Sequence, residues 1–261
     1  MTKIPIFQID AFADKIFSGN PAAVCPIIQE LDESQMQHIA AENNLSETAF
    51  IKIDTEPFSI RWFTPTIEVD LCGHATLASA FVYFNFINKE SNEIIFNSNR
   101  GQLIAKRNDN AITMSLPKDH PKKESNINIF IDALGCNVAE SYRGIDDYLA
   151  ILNDEEAVKN LNPDINKIAK MPSRGLIVSA KGDKVDFVSR VFGPNVGVDE
   201  DPVTGSAHAL LATYWASILG KNDLIAKQLS KRQGSLQCLV KESTVEITGK
   251  AVLYLRGTIE I

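Results

Sequence analysis

Polar and apolar residues alternate over residues 4–12 (IPIFQIDAF), the period of a half-buried strand. Ser18-Gly19-Asn20-Pro21 then marks a turn, and a return strand is predicted over 22–28. The period changes at Met36, Ile39 and Ala40, which share one helical face. Asp32 and Gln35 supply a capping box for that helix, and Asn43-Asn44 suits a left-handed stop. Strands are predicted next at 46–51 and 58–63. The following helix, about 74–88, is apolar on nearly every side (Ala75, Leu77, Ala78, Ala80, Phe81, Val82), so it must be enclosed by other structure. Three short strands follow at 93–97, 102–106 and 111–116, and the polar stretch 117–126 (PKDHPKKESN) reads as a boundary.

Beyond the boundary the order is similar. A helix or strand near 127–134 precedes strands at 139–142 and 148–152, helical turns between 155 and 170, and strands at 175–180 and 186–192. A second all-apolar helix is predicted over 206–219, stopped by Gly220, and three strands at 236–241, 244–248 and 251–261 close the chain. Sequence identities support the parallel. Arg61-x-Phe63-x-Pro65 matches Arg190-x-Phe192-x-Pro194 at an offset of 190 − 61 = 129. Glu68 and Glu200, Gly73 and Gly205, Ala75 and Ala207, and Ala80 and Ala212 match at an offset of 132, so the second copy carries three extra residues in its loop. More weakly, Ser46-Glu47-Thr48 aligns with Ser173-Arg174-Gly175. A strand–loop–helix unit repeated half a chain apart predicts two similar lobes, 1–117 and 118–261, with the final strand a candidate to pack back on the first.

Composition changes this picture little. The 261 residues, 44% apolar and 23% charged, are those of an ordinary globular chain able to bury a proper core. A net charge of −7 without a basic stripe argues against a nucleic-acid partner. The longest apolar stretch, 75–87, is interrupted and too short to span a bilayer, and the N-terminus lacks a signal-peptide pattern. The four cysteines are scattered with no local Cys/His cluster, which predicts free thiols, a cytoplasmic location and no metal.

Candidate chemistry gathers at the repeated loops. Gly73 and Gly205 each precede or begin a buried helix, whose first N–H groups and partial positive charge suit a carboxylate. Glycine there also serves close packing; its occurrence in both copies favours the binding role. Glu47 lies between a helix and an apolar strand, as either a cap or a base. Asp201 shares its loop with Glu200, where capping explains one of the two. His74 stands at a helix start, and His208 reads as structural with a near-site role left open. Cys72 precedes Gly73, where a helix N-terminus favours a thiolate, whereas the equivalent Thr204 carries no thiol.

Four segments in order, Asp10-Ala11-Phe12 with Ser18-Gly19-Asn20-Pro21, Ser46-Glu47-Thr48-Ala49-Phe50, Cys72-Gly73-His74-Ala75-Thr76, and Asp201 through His208 (DPVTGSAH), resemble the PhzF family over essentially the whole chain. The resemblance implies an α+β, diaminopimelate-epimerase-like fold of two lobes, each a β-barrel around a central helix, with the site between them. It implies a homodimeric, cofactor-independent isomerase acting on a small carboxylate-bearing metabolite. By motif, Glu47 would be the general acid/base, with His74, Asp201 and Ser206 around the substrate and Gly73 and Gly205 at the helix ends. Cys72 fits the two-cysteine racemases of that fold and Thr204 departs from them. An amino-acid epimerase using Glu47 and Cys72 on opposite faces, or a non-catalytic carboxylate-binding protein, are the alternatives.

Overall fold

The computed structural model describes residues 2–261 and separates into two compact units, residues 1–115 with 248–261, and residues 116–247. The first unit begins with β1 (Lys3–Ala11) and β2 (Asn20–Ile27), an antiparallel pair joined by the predicted turn. Helix α1 (Glu33–Asn43) has both halves of its capping box, with Asp32 accepting from Gln35 N and Gln35 accepting from Asp32 N. Asn44 ends it in the left-handed conformation. The helix is the crossover to β3 (Glu47–Lys52), which pairs parallel with β2, and Met36 and Ile39 pack beneath it on Phe50 and Phe63.

Strand β4 (Phe58–Phe63) lies antiparallel to β3, and the short β5 (Glu68–Val69) folds back on it. Helix α2 (Gly73–Val82) then touches β1, β2 and β3, and nearly all its residues are buried, so strands surround it as its unbroken apolar sequence requires. The sequence predicts this helix running on to about residue 88. Instead Tyr83–Ile87 form a π-helical turn, closed by Asn88 N donating to Tyr83 O at 2.8 Å. The wider turn keeps Tyr83 and Phe84 buried while Phe86 meets Phe7, ring centroids 4.9 Å apart. Strand β6 (Glu93–Ser98) returns parallel to β4, followed by β7 (Gly101–Asn108) and β8 (Ala111–Pro117) in antiparallel succession.

The second unit repeats this order. After β9 (Lys122–Lys123) and α3 (Asn128–Leu134), β10 (Glu140–Arg143) and β11 (Asp147–Ile151) form an antiparallel pair. Two short helices, α4 (Glu155–Lys159) and α5 (Ile165–Ile168), make the crossover to β12 (Gly175–Lys181), parallel to β11. Strand β13 (Phe187–Gly193) is antiparallel to β12 and is followed by β14 (Val198–Asp201) and the buried α6 (Ala207–Leu219). Then come β15 (Asp223–Gln228), parallel to β13, β16 (Gly234–Val240) and β17 (Thr244–Gly249). Phe130, Tyr148, Leu176 and Phe192 are among its core residues. The last strand, β18 (Ala251–Glu260), pairs with β1 in the first unit. Sequence periodicity did not mark β15.

The matched residues hold equivalent places. Arg61 Nε and Nη2 donate to Glu68 at 2.7 and 2.6 Å with the guanidinium carbon 5.1 Å from the Phe63 ring centre. Arg190 does the same to Glu200 at 2.7 and 2.9 Å, again 5.1 Å from the Phe192 ring. These repeated clamps pin the loop to the strand before it. The extra residues of the second copy fall at a 3-10 turn, Pro194–Val196, with Gly197 at φ 86°. Pairing shifts one alignment. Thr48 faces Phe63 and Leu176 faces Phe192, so at the end of the strand Glu47 corresponds to Gly175, and Arg174 to Ser46. A one-residue slip moves a side chain to the other sheet face, so the second unit has no counterpart of the Glu47 carboxylate.

Candidate active site

The candidate residues fall into two groups, one in each unit. In the first, Glu47 opens β3, Cys72 is the N-cap of α2, and Gly73 and His74 are its first two residues. The first intrahelical bond runs from Thr76 N to Cys72 O at 3.2 Å, so the N–H groups of residues 73–75 have no acceptor within the helix. His74 Nε2 lies 3.2 Å from Glu47 Oε2, off the line of a good hydrogen bond. Its Nδ1 faces Asn20 Nδ2 at 3.1 Å and Cys72 Sγ at 3.5 Å. Amide and thiol are both donors, which assigns the lone pair to Nδ1 and the ring proton to Nε2, facing Glu47. Burial lowers the His74 pKa to about 3, so the ring is neutral. The donor atoms of Glu47, Cys72 and His74 lie within 4.8 Å of one another. Asn20 is fully buried and joins this group from 54 residues away; it stands in the Ser18-Gly19-Asn20-Pro21 segment, which the sequence marks as a turn and a motif but not as a site residue.

In the second unit the loop before α6 is tied by Gln228 at the end of β15. Its Oε1 accepts from Thr204 N at 2.9 Å, and its Nε2 donates to Asp201 O at 2.7 Å and to Thr204 Oγ1 at 3.2 Å. Thr204 Oγ1 in turn donates to the Asp201 carboxylate. The predicted helix start at Ser206 shifts by one: α6 begins at Ala207, with Ser206 as its cap residue. Gly205 therefore stands just outside, in a tight turn where His208 N donates to Gly205 O at 3.1 Å and Ala209 N to Ser206 O at 3.1 Å. Gly205 and Ser206 nevertheless flank the helix end. Asp147, buried at the start of β11, accepts from Arg174 through both oxygens, and Arg174 Nη2 also reaches Ser206 Oγ at 3.3 Å. Burial alone would lower the Arg174 pKa, but Asp147, with Asp146 and Asp201 behind it, outweighs that and raises it. A permanent cation thus stands beside Ser206, which the one-residue misalignment of Arg174 had hidden.

His208 has a plain structural explanation. The hydroxyl of Thr76 donates to Cys72 O at 2.5 Å, and His208 Nδ1 makes the equivalent contact to Thr204 O at 2.7 Å. Both are side chains answering the carbonyl four residues earlier, and 76 + 132 = 208, the repeat offset. A carbonyl only accepts, so Nδ1 carries the proton. Burial, only partly offset by that bond, lowers the His208 pKa to about 4.

Among the described residues no helix is long and apolar enough to cross a membrane. The family model described as phenazine biosynthesis-like protein matches residues 9–257. The chain is 47% identical to a Pseudomonas aeruginosa protein named as an uncharacterized isomerase, covering 99% of this chain and 100% of that one. A crystal structure of a PhzF-family phenazine biosynthesis protein from Enterococcus faecalis superposes with a TM-score of 0.95 at 42% identity, each chain covered in full. A hydroxyproline epimerase from Agrobacterium vitis shares the fold at a TM-score of 0.62 and 9% identity, covering 99% of this chain and 91% of that one. The fold is therefore α+β and diaminopimelate-epimerase-like, with strands around a buried helix in each unit.

Proposed function

Because the chain belongs to the phenazine biosynthesis-like family, we propose that it is a cofactor-independent isomerase that moves a proton on a small carboxylate-bearing substrate, with Glu47 as general acid/base. In the forward step the Glu47 carboxylate takes a proton from a carbon next to a conjugated system. The C–H electron pair enters that system, and Glu47 returns the proton at another carbon. A positioned base of this kind contributes about 10²–10⁴-fold. Neutral His74, 3.2 Å from Glu47, adds no positive charge that would hold the carboxylate in a salt bridge. The substrate carboxylate would lie on the N–H groups that open α2, a helix end worth roughly 0.3–2 kcal/mol.

The observation that carries this reading is the pairing of Glu47 with a buried, uncharged His74. An epimerase with Glu47 and Cys72 on opposite substrate faces is disfavoured, because their donor atoms lie within 4.8 Å, too close to flank a substrate carbon. A panel of small unsaturated carboxylic acids incubated with the protein in D₂O tests the proposal. One of them is expected to gain solvent deuterium and isomerise, and Glu47→Gln should slow both by at least about 10²-fold while carboxylate binding persists. Exchange and turnover near wild-type levels in a folded Glu47→Gln protein would remove Glu47 as the base, and binding without exchange of any acid would favour a binding protein.

A further inference from the structure

We propose that Glu47, Cys72 and His74 form a binding site for a thiophilic divalent cation, with Zn²⁺ the best-matched ion. One donor atom from each residue lies within 4.8 Å of the other two, and this is the one such convergence among the described residues. A thiolate, an imidazole nitrogen and a carboxylate oxygen are the donor set that zinc takes with three protein ligands and an open fourth position. In a tetrahedral site with Zn–S about 2.3 Å and Zn–N about 2.0 Å, donor atoms stand roughly 3.3–3.8 Å apart. His74 Nε2 is 3.2 Å from Glu47 and its Nδ1 is 3.5 Å from Cys72, and since one ring nitrogen takes the ion, the imidazole and the facing side chain must turn to bring all three donors from within 4.8 Å to that spacing.

Charge and surroundings agree with this assignment. A thiolate and a carboxylate neutralise a dication, so the loaded cluster carries no net charge into a largely buried place. Binding expels the Cys72 thiol proton, one per ion, and forms the Sγ–metal bond. If Nε2 takes the ion, Nδ1 carries the ring proton, and Asn20, 3.1 Å away, steadies the ring once its amide turns so that the oxygen accepts from Nδ1–H. If Glu47 is the base proposed above, a cation that occupies its carboxylate stops proton transfer, so the ion acts as an inhibitor. That consequence rests on the catalytic reading; the site itself does not.

Titrating the full chain with Co²⁺ tests the site through absorbance alone. One ion per chain is expected, with a thiolate-to-cobalt charge-transfer band that Zn²⁺ displaces. Cys72→Ser should abolish the band, Glu47→Gln should weaken cobalt binding by at least about tenfold, and Cys136→Ser should change neither. Near-ultraviolet circular dichroism identifies any variant that has not folded, and either of the first two suffices if the other fails. The absence of the band in the parent protein overturns the site, as does a band that survives Cys72→Ser or an unchanged affinity in Glu47→Gln. If Glu47→Gln loses deuterium exchange yet binds cobalt like the parent, the metal site fails and the catalytic role stands.

Discussion

Two buried histidines stand near the starts of α2 and α6, and both are held neutral by burial, His74 with a pKa of about 3 and His208 of about 4. An unfolded chain protonates both near pH 6.5, so the unfolded state binds more protons below that pH and stability falls as the pH drops. Each histidine should remove about 1.4 kcal/mol per pH unit between about pH 6 and its folded value. Urea unfolding at several pH values over the upper part of that window checks the slope, before exposed carboxylates begin to titrate. His208→Thr should remove roughly half of it, because Thr76 already makes the equivalent contact with a hydroxyl that does not titrate. An unchanged slope would mean that His208 is protonated in the native state. Cys72 is a different case: Thr204 stands in its place in the second unit, so no pair of thiols serves both faces of a substrate. Cys72→Ser is therefore expected to keep turnover within about tenfold, a barrier change under about 1.4 kcal/mol. A fall to background would make the thiol a second catalytic group.

At the scale of elements, the loop from Asp201 to Ser206 depends on one side chain from a neighbouring strand. Gln228→Leu leaves the Thr204 N–H and the Asp201 carbonyl without that partner, and should cost about 1–3 kcal/mol. Thermal melts give the loss, and faster hydrogen exchange at Thr204 locates it; unchanged protection there would show that the loop holds itself. Gln228 also marks where sequence reading stops. The capping box of α1 was legible because Asp32 and Gln35 are three residues apart and meet by helical geometry alone. Strand β15, with the sequence DLIAKQ, was not, since an apolar Ile225 faces outward and a polar Gln228 faces inward, which blurs its alternation, and its pairing with β13 joins residues 39 apart. Glu47, Cys72, Gly73 and His74 stood out as candidate site residues, whereas Asn20, visible only within a turn motif, acts across 54 positions and Gln228 across 24. Arg174 was visible but aligned one residue out, because only strand pairing fixes register at the end of β12.

For the molecule as a whole, the chain order conceals a simpler arrangement. The first unit is discontinuous in sequence, residues 1–115 with 248–261, because β18 returns to pair along the full length of β1. The two ends of the described chain meet there: Thr2 N donates to Ile261 O at 2.6 Å and Ile261 N to Thr2 O at 3.0 Å. Ends this close can be joined by a short glycine-serine linker at little cost in closure entropy, since that cost grows only slowly with loop length. New termini placed between His120 and Pro121 fall just past β8, near the start of the second unit, where His120 is exposed. The permuted chain runs from 121 through 261 and the linker to 2–120, which makes the first unit continuous. It should fold with native near-ultraviolet circular dichroism and lose no more than about 2 kcal/mol of stability. Deleting residues 251–261 from the natural order is the contrasting case. It strips β1 of one of its two partners, leaving β2 on the other side, and exposes an unpaired edge, so the first unit should lose its cooperative melt. A permutant that fails to fold would show that the cut at 120–121 breaks a connection the fold needs, and a truncation that melts like the parent would show that β18 is dispensable to the first unit.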